Sequence, residues 1–152
     1  MNELKRVLLV EDNPNDVELT LAAFGEHHLA NEVVVARDGA EALDYLFRRG
    51  AFADRLAGNP AAILLDLKLP KVNGLEVLEV VRGEPSLHAV PIVVLTSSQE
   101  EPDLVRCYDL GVNAYVVKPV DFGDFVRAVG NLGVFWALIN QPPPGSLYTT
   151  LG

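Results

Sequence analysis

The chain has 152 residues, a formal net charge of −9 and 49% hydrophobic residues. This length allows one domain with a full core but not two ordinary domains, and the composition is typical of a soluble globular protein. The acidic balance gives no overall attraction to a polyphosphate backbone, so we expect no binding to nucleic acid. No apolar run reaches the length of about 18 residues that a membrane span needs, and we expect no membrane segment.

The N-terminal segment and the cysteine content predict a cytoplasmic protein. Residues 1–6 lead directly into a short apolar strand and have neither the apolar core nor the cleavage site of a signal peptide. Cys107 is the single cysteine, so the chain cannot form an intramolecular disulfide, which fits a reducing compartment. Cysteine and histidine do not cluster along the sequence, which argues against a zinc site.

Short apolar runs alternate with amphipathic helical segments along the whole chain. Runs without polar interruption are typical of strands that are buried on both faces, as in the middle of a parallel sheet. The alternation predicts an α/β fold with a doubly wound five-stranded parallel sheet, helices on both faces and right-handed crossovers. The predicted strands are residues 6–10, 32–36, 63–65, 91–95 and 114–117.

Local signals mark where the helices begin. Asn13 is a good cap for a helix whose first residue is Pro14. Residues 38–41 and residues 98–101 have the spacing of a capping box, so we expect a helix after each, the second running through Leu110. Two further helices are predicted after residues 73–74 and from residue 121.

Two stretches fall outside this alternation. Residues 50–60 form a rather long connection, which we expect Phe52 and Leu56 to anchor to the body of the domain. Residues 141–152 include three consecutive prolines and cannot continue the preceding helix, so we expect an extended tail. We therefore predict one domain over residues 1–140, followed by a Pro-rich tail.

Polar side chains stand at the carboxyl ends of four predicted strands. They are Glu11 and Asp12 after the first strand, Asp66 after the third, Thr96 after the fourth and Lys118 after the fifth. In a doubly wound sheet these ends share one edge, so the side chains can meet there. Each residue also has a purely structural explanation, as an acid near a helix N-terminus, a cap or a solvated side chain. That all of these residues are expected at the same edge of the sheet favours a functional site.

The residues of this edge suit phosphoryl transfer assisted by Mg²⁺. Three carboxylates without a partner would repel one another, and a hard cation with oxygen ligands resolves this repulsion. With Mg²⁺ bound, Asp66 could attack a phosphoryl group, as carboxylate nucleophiles do. Lys118 and the metal would neutralise charge on the transferring oxygens, and Thr96 could donate a hydrogen bond to one of them.

This set of residues resembles the receiver domain of two-component response regulators, over roughly residues 5–138. The order and spacing of the matching residues are highly specific as a set. The resemblance implies a flavodoxin-like strand order of 2-1-3-4-5 and a signalling domain whose own chemistry is limited to its phosphorylation and slow autodephosphorylation. The matching elements are Glu11-Asp12, Asp66 followed by Pro70 and Gly74, Thr96-Ser97, and Lys118-Pro119 with Tyr115 three residues before it.

The resemblance also implies how the site works. Asp66 accepts a phosphoryl group from a phosphohistidine of a sensor histidine kinase. Asp12, Asp66 and the backbone carbonyl of Lys68 bind Mg²⁺, and Glu11 acts mainly through a metal-bound water.

The same resemblance implies a conformational switch. Thr96 moves toward the phosphoryl group and Tyr115 rotates into the space that is vacated, so that a local change of charge biases a two-state element. The bond from Lys118 to Pro119 is cis in such domains, which aims the lysine at the site. Taken alone, Tyr115 would be an ordinary half-buried aromatic residue of a strand.

The end of the last helix is apolar nearly all round. Val134, Phe135 and Leu138 point away from the stripe that faces the sheet. Either the tail folds back over them or they contact a partner, as exposed apolar patches usually do. We expect a homodimer through this helix, with these three residues in the interface. The sheet-facing stripe is predicted as Phe122, Phe125, Val129, Leu132 and Trp136.

The chain also resembles the phytochrome-associated subgroup of stand-alone response regulators. The resemblance consists of the long connection before the third strand and of Phe135-Trp136 near the end of the last helix. It implies dimers and, as phosphoryl donor, a light-sensing histidine kinase of the bacteriophytochrome kind.

Three other functions stay open at this point. A phosphatase of the haloacid dehalogenase type shares the nucleophile and the metal but needs a second Asp two residues after the first, where this chain has Lys68. A flavodoxin-like or dinucleotide-binding protein needs a first loop rich in Gly or Ser/Thr, where this chain has Glu11 and Asp12. The third is a receiver-like scaffold that takes no phosphate, against which the complete set of site residues argues.

Overall fold

The computed structural model describes residues 2–28, 33–118, 121–134 and 148–151. At its centre lies a sheet of five parallel strands, in the order β2-β1-β3-β4-β5 across the sheet. This order confirms the doubly wound, flavodoxin-like fold that was expected. The strands are β1 Val7–Val10, β2 Val33–Ala36, β3 Ala62–Leu65, β4 Ile92–Thr96 and β5 Ala114–Val117.

The three central strands are buried along their whole length. Every residue of β1, β3 and β4 is shielded from solvent. Side chains of a strand alternate between its two faces, so Leu8 and Val10 join one hydrophobic cluster while Val7 and Leu9 join another. Both faces therefore need cover, which explains why these strands read as continuous apolar runs.

Five α-helices in the described part of the chain provide this cover. Helices α2, α3 and α4 contribute to the first cluster, and α1 and α5 to the second. Among the described residues, no helix combines the length and the apolar character needed to cross a bilayer. The helices are α1 Pro14–Gly25, α2 Gly39–Phe47, α3 Gly74–Gly83, α4 Glu101–Asp109 and α5 Phe122–Val134.

Two of the five residues predicted for the sheet-facing stripe of α5 lie in the core, whereas the side chain of Leu132 and the whole of Trp136 lie outside the described part of the chain. Phe125 and Val129 are buried in the second cluster. Phe122, predicted on the same stripe, is 40% exposed. It is the first residue of the helix.

Most of the predicted helix starts are confirmed. The Asn13 side chain accepts hydrogen bonds from the first turn of α1, and the Asp38 side chain accepts one from the backbone N–H of Glu41 at 2.7 Å. The capping box expected at residues 98–101 is wrong, because α4 begins at Glu101 without a side-chain cap. Pro102 lies in its first turn, a position that tolerates proline and fixes the start of the helix.

The long connection between α2 and β3 is held by one of the two expected residues and by a third that was not expected. Phe52 does pack edge-on against Tyr45, with ring centroids 5.2 Å apart. Leu56, however, is 73% exposed and anchors nothing. Arg55 takes its place, since its guanidinium donates to the Tyr45 carbonyl at 2.6 Å and to two carbonyls of the connection itself.

The two ends of the described chain form a second, smaller sheet that the sequence does not predict. Residues Asn2–Lys5 pair antiparallel with Tyr148–Leu151, in a register that aligns Asn2 with Leu151. Part of the expected tail is therefore a strand. The expected domain boundary at residue 140 lies outside the described residues.

Two glycines let helices α2 and α3 begin directly against the loop that follows β3. A Cβ atom at Gly74 would lie 2.2 Å from the carbonyl oxygen of Asp66, and one at Gly39 would lie 1.8 Å from that of Val72. Only a residue without a side chain fits at these distances. The two helix starts thereby fix the position of the loop that carries Asp66.

Replacing Gly74 by alanine tests this close approach. We expect Gly74→Ala to lower the free energy of unfolding by about 3 kcal/mol, because backbone atoms have to move apart to admit the methyl group. Gly83→Ala at the other end of the same helix is the matched control, since a Cβ atom there meets nothing within 4 Å. Urea denaturation of both variants measures the difference, and equal stabilities would contradict the steric account.

Candidate functional site

The predicted site residues meet at the carboxyl edge of the sheet. Backbone hydrogen bonds continue beyond the strands and fix the residues that follow them. The N–H of Asp66 donates to Val10 at 3.0 Å, and the N–H of Lys118 donates to Thr96 at 2.8 Å. The N–H of Glu11 likewise donates to Ala36 at 3.0 Å. The backbone positions from which the side chains of Glu11, Asp66 and Lys118 extend are therefore fixed by hydrogen bonds.

Glu11, Asp12 and Asp66 form an acidic cluster. One carboxylate oxygen of each lies within 4.8 Å of the others, close enough to ligate a single cation. Glu11 and Asp66 are buried, whereas Asp12 is exposed, so the cluster opens to solvent on one side. Oxygen donors of this kind suit a hard divalent cation that keeps part of its water shell.

Lys118 places its ammonium among three carboxylates. Its Nζ atom donates to Glu11 at 2.5 Å, to Asp16 at 2.8 Å and to Asp66 at 3.0 Å. Burial by itself lowers the pKa of the Lys118 ammonium, but these hydrogen bonds outweigh it and the pKa is raised above its usual value. Lys118 is therefore a fixed positive charge next to Asp66.

The sequence does not single out Asp16. It is the third residue of α1, where an acidic side chain is already explained by the positive end of the helix. Only the fold brings it to Lys118, which lies 102 residues later in the chain.

Glu11 is the most deeply buried acid of the cluster. Burial raises the pKa of its carboxyl to about 7, although the hydrogen bond from Lys118 opposes the shift. The nearby charge of Asp66 contributes to this rise of the pKa. The second oxygen of Glu11 accepts from the backbone N–H of Asn13 at 3.3 Å. The negative charge of Glu11 therefore depends on a neighbouring cation.

Both carboxylate oxygens of Asp66 have a donor. The backbone N–H of Lys68 donates to Oδ1 at 3.0 Å, and Lys118 donates to Oδ2. The Lys68 residue is exposed, and its backbone carbonyl stays a predicted metal ligand. These contacts fix the orientation of the buried Asp66 carboxylate.

Ser98 connects the two residues predicted to form the switch. Its backbone N–H donates to the buried hydroxyl of Thr96 at 3.3 Å, and its carbonyl accepts from the hydroxyl of Tyr115 at 2.9 Å. Its own hydroxyl donates to Asp103 of α4 at 2.6 Å. Ser98 is buried, so Thr96, Tyr115 and α4 are joined through one residue of the loop after β4.

The other predicted residues lie at or beyond the limits of the description. Pro119, Phe135 and Leu138 fall outside the described residues. Val134 is the last described residue of α5. The cis bond and the dimer interface therefore stay predictions.

Comparison with known proteins assigns the chain to a family. Residues 7–130 match the model of the response regulator receiver domain. The chain is also 36% identical to the response regulator Rcp1 of Synechocystis sp. over 135 residues, which cover 89% of this chain and 90% of Rcp1. The protein therefore belongs to the response regulator receiver domain family, as its site residues suggested.

Solved structures of similar proteins have the same fold. The bacteriophytochrome response regulator RtBRR is 64% identical with a TM-score of 0.76, covering 94% of this chain and 86% of that one. The phosphorylated cyanobacterial phytochrome response regulator RcpA is 38% identical with a TM-score of 0.81, covering 92% and 99%. The Mn²⁺-bound form of Rcp1 is 35% identical with a TM-score of 0.80, covering 91% and 99%.

Replacing Ser98 tests its place in this network. We expect Ser98→Ala to lower the free energy of unfolding by about 1–2 kcal/mol, because the partners of the buried hydroxyl lose their hydrogen bonds. Ser97→Ala is the matched control on the exposed neighbour and should stay within about 0.5 kcal/mol of the wild type. Thermal and urea unfolding measure both, and an equal effect of the two changes would contradict the assignment.

Proposed function

We propose that this receiver domain accepts a phosphoryl group on Asp66 from a phosphohistidine of a sensor histidine kinase. The observation that supports this most is the position of Asp66, between an acidic cluster that suits a divalent cation and the ammonium of Lys118. The domain acts as a phosphoacceptor in signalling, and its own chemistry is limited to this transfer and to slow loss of the phosphoryl group.

The transfer forms one bond and breaks another. A carboxylate oxygen of Asp66 attacks the phosphorus atom, and the P–N bond to the donor histidine breaks. The electron pair of that bond stays on the imidazole nitrogen. This nitrogen then takes up a proton from solvent, so that the product is a neutral imidazole. Lys118 lies beside the attacking carboxylate, at 3.0 Å, and offsets the negative charge that arrives with the phosphoryl oxygens.

Mg²⁺ fits the donor set at this edge. Asp12, Asp66 and the backbone carbonyl of Lys68 would hold it, with Glu11 reached through a water molecule. When bound, the ion neutralises charge on the transferring oxygens. The Mn²⁺-bound form of the relative Rcp1 supports a divalent cation in this family.

The phosphorylated domain signals through Thr96 and Tyr115. Thr96 is fully buried at the end of β4, and Tyr115 is half-buried in the neighbouring strand β5. A shift of Thr96 toward the phosphoryl group would pull on Ser98, which both residues contact through its backbone. Tyr115 would then lose its present partner and turn inward, changing the surface beside α4.

The names of similar solved structures support a particular class of phosphoryl donor. Two of the similar structures are response regulators named for phytochromes, and one of them is 64% identical to this chain. We infer a bacteriophytochrome histidine kinase as the donor. A cytoplasmic location agrees with this donor and with the single, unpaired cysteine.

The assignment of Asp66 is tested by intact-protein mass spectrometry. We expect the wild type to gain the mass of one phosphoryl group with acetyl phosphate and Mg²⁺, and to lose this gain in EDTA. An autophosphorylated bacteriophytochrome kinase should label it in the same way. Asp66→Asn should gain nothing, because an amide is not a competent nucleophile. A wild type that stays unlabelled by either donor would contradict the proposed function.

A homodimer through the end of α5 is the second proposal, with Val134, Phe135 and Leu138 in the interface. It is supported by the apolar character of these positions in the sequence. Light scattering after size-exclusion chromatography should give the mass of a dimer for the wild type and of a monomer for Leu138→Asp. Val105→Asp, on the half-exposed surface of α4, is the control that should remain dimeric. A wild type that is monomeric at all concentrations would disprove this interface.

A further inference from the structure

Asp16 contacts the site without belonging to its acidic cluster. Its carboxylate accepts a hydrogen bond from the Nζ atom of Lys118 at 2.8 Å. The carboxylates that could share a cation are those of Glu11, Asp12 and Asp66. Asp16 therefore binds the ammonium from outside the set of residues that a cation would use.

The ammonium of Lys118 has three N–H donors, and each has one carboxylate partner among the described residues. A divalent cation in the cluster would compete for two of these partners, Glu11 and Asp66. It would also repel the ammonium, because the two charges have the same sign. Asp16 is the carboxylate partner of Lys118 for which the cation would not compete.

We propose that Asp16 is a positioning residue that keeps Lys118 beside Asp66 when a divalent cation occupies the acidic cluster. The role rests on the proposed phosphoryl transfer to Asp66, in which Lys118 offsets charge on the transferring oxygens. Asp16 touches neither the phosphoryl group nor the cation and acts through the lysine.

Asp16 is itself held firmly enough for this role. It lies in the first turn of α1, where the helix dipole favours a carboxylate. Its backbone N–H donates to the Asn13 side chain at 3.4 Å, and its carbonyl accepts from the Thr20 hydroxyl at 2.8 Å. A side chain on a capped helix start is a more rigid anchor than one on a loop.

Positioning and simple charge repulsion predict opposite effects for the loss of Asp16. Removing a negative charge near an acidic site eases the approach of an anionic phosphodonor and would speed labelling. Losing the anchor of Lys118 would slow labelling, because the ammonium is no longer held where charge develops. The direction of the change therefore separates the two explanations.

The experiment measures the rate of labelling of the full chain by acetyl phosphate at saturating Mg²⁺, with intact mass as the readout. We expect Asp16→Asn to label at least about 5-fold more slowly than the wild type. Asp16→Glu restores a carboxylate and should recover part of the rate. Glu18→Gln removes the same charge from an exposed position of the same helix and should stay within about 2-fold of the wild type. Melting curves confirm that all variants are folded.

The possible results separate the two proposals. A labelled wild type together with Asp16→Asn at the wild-type rate or faster overturns the role of Asp16 and leaves the proposed function intact. Asp16→Glu no better than Asp16→Asn also overturns it. A wild type that is not labelled overturns the proposed function, and the role of Asp16 with it.

Discussion

The site depends on one positive charge held among three negative ones, two of which are buried. The fold brings the carboxyl ends of β1, β3 and β5 to one edge, and Lys118 there meets Glu11, Asp16 and Asp66. Breaking a buried ion pair leaves a charge that neither water nor a partner stabilises, so the ammonium and the carboxylates hold each other in place. A divalent cation at the acidic cluster would replace part of the contacts that the Lys118 ammonium makes, and the cluster is open to solvent at Asp12.

The same edge carries the hydrogen bonds through which the proposed switch would act. Thr96 ends the strand next to β3, and its hydroxyl is tied to Ser98. Ser98 is tied in turn to Tyr115 on β5 and to Asp103 on α4. A change at Asp66 that draws Thr96 away would therefore reach both the outer strand and a helix through one loop residue. This is a short path between neighbouring groups, with hydrogen bonds of 3.3 Å to Thr96, 2.9 Å to Tyr115 and 2.6 Å to Asp103.

Much of the fold and the core of the site could be predicted from sequence because their signals are local. Continuous apolar runs identified the buried strands, and strand ends located Asp66 and Lys118. The parts that could not be predicted depend on contacts between distant residues. In the sequence, Asp16 is an ordinary acidic residue at a helix start and Arg55 an ordinary surface charge. Only the folded structure shows the groups that they contact. The pairing of Asn2–Lys5 with Tyr148–Leu151 leaves no local pattern for the same reason.

The most direct test of this account is the crystal structure of the wild type soaked with Mn²⁺, in which anomalous scattering locates the ion. The account predicts one ion at a coordination distance of about 2 Å from carboxylate oxygens of Asp12 and Asp66. It also predicts that Lys118 remains bonded to Asp16 while giving up part of its contact with Glu11. An ion bound elsewhere, or a filled cluster from which Lys118 has left Asp16 for solvent, would contradict it.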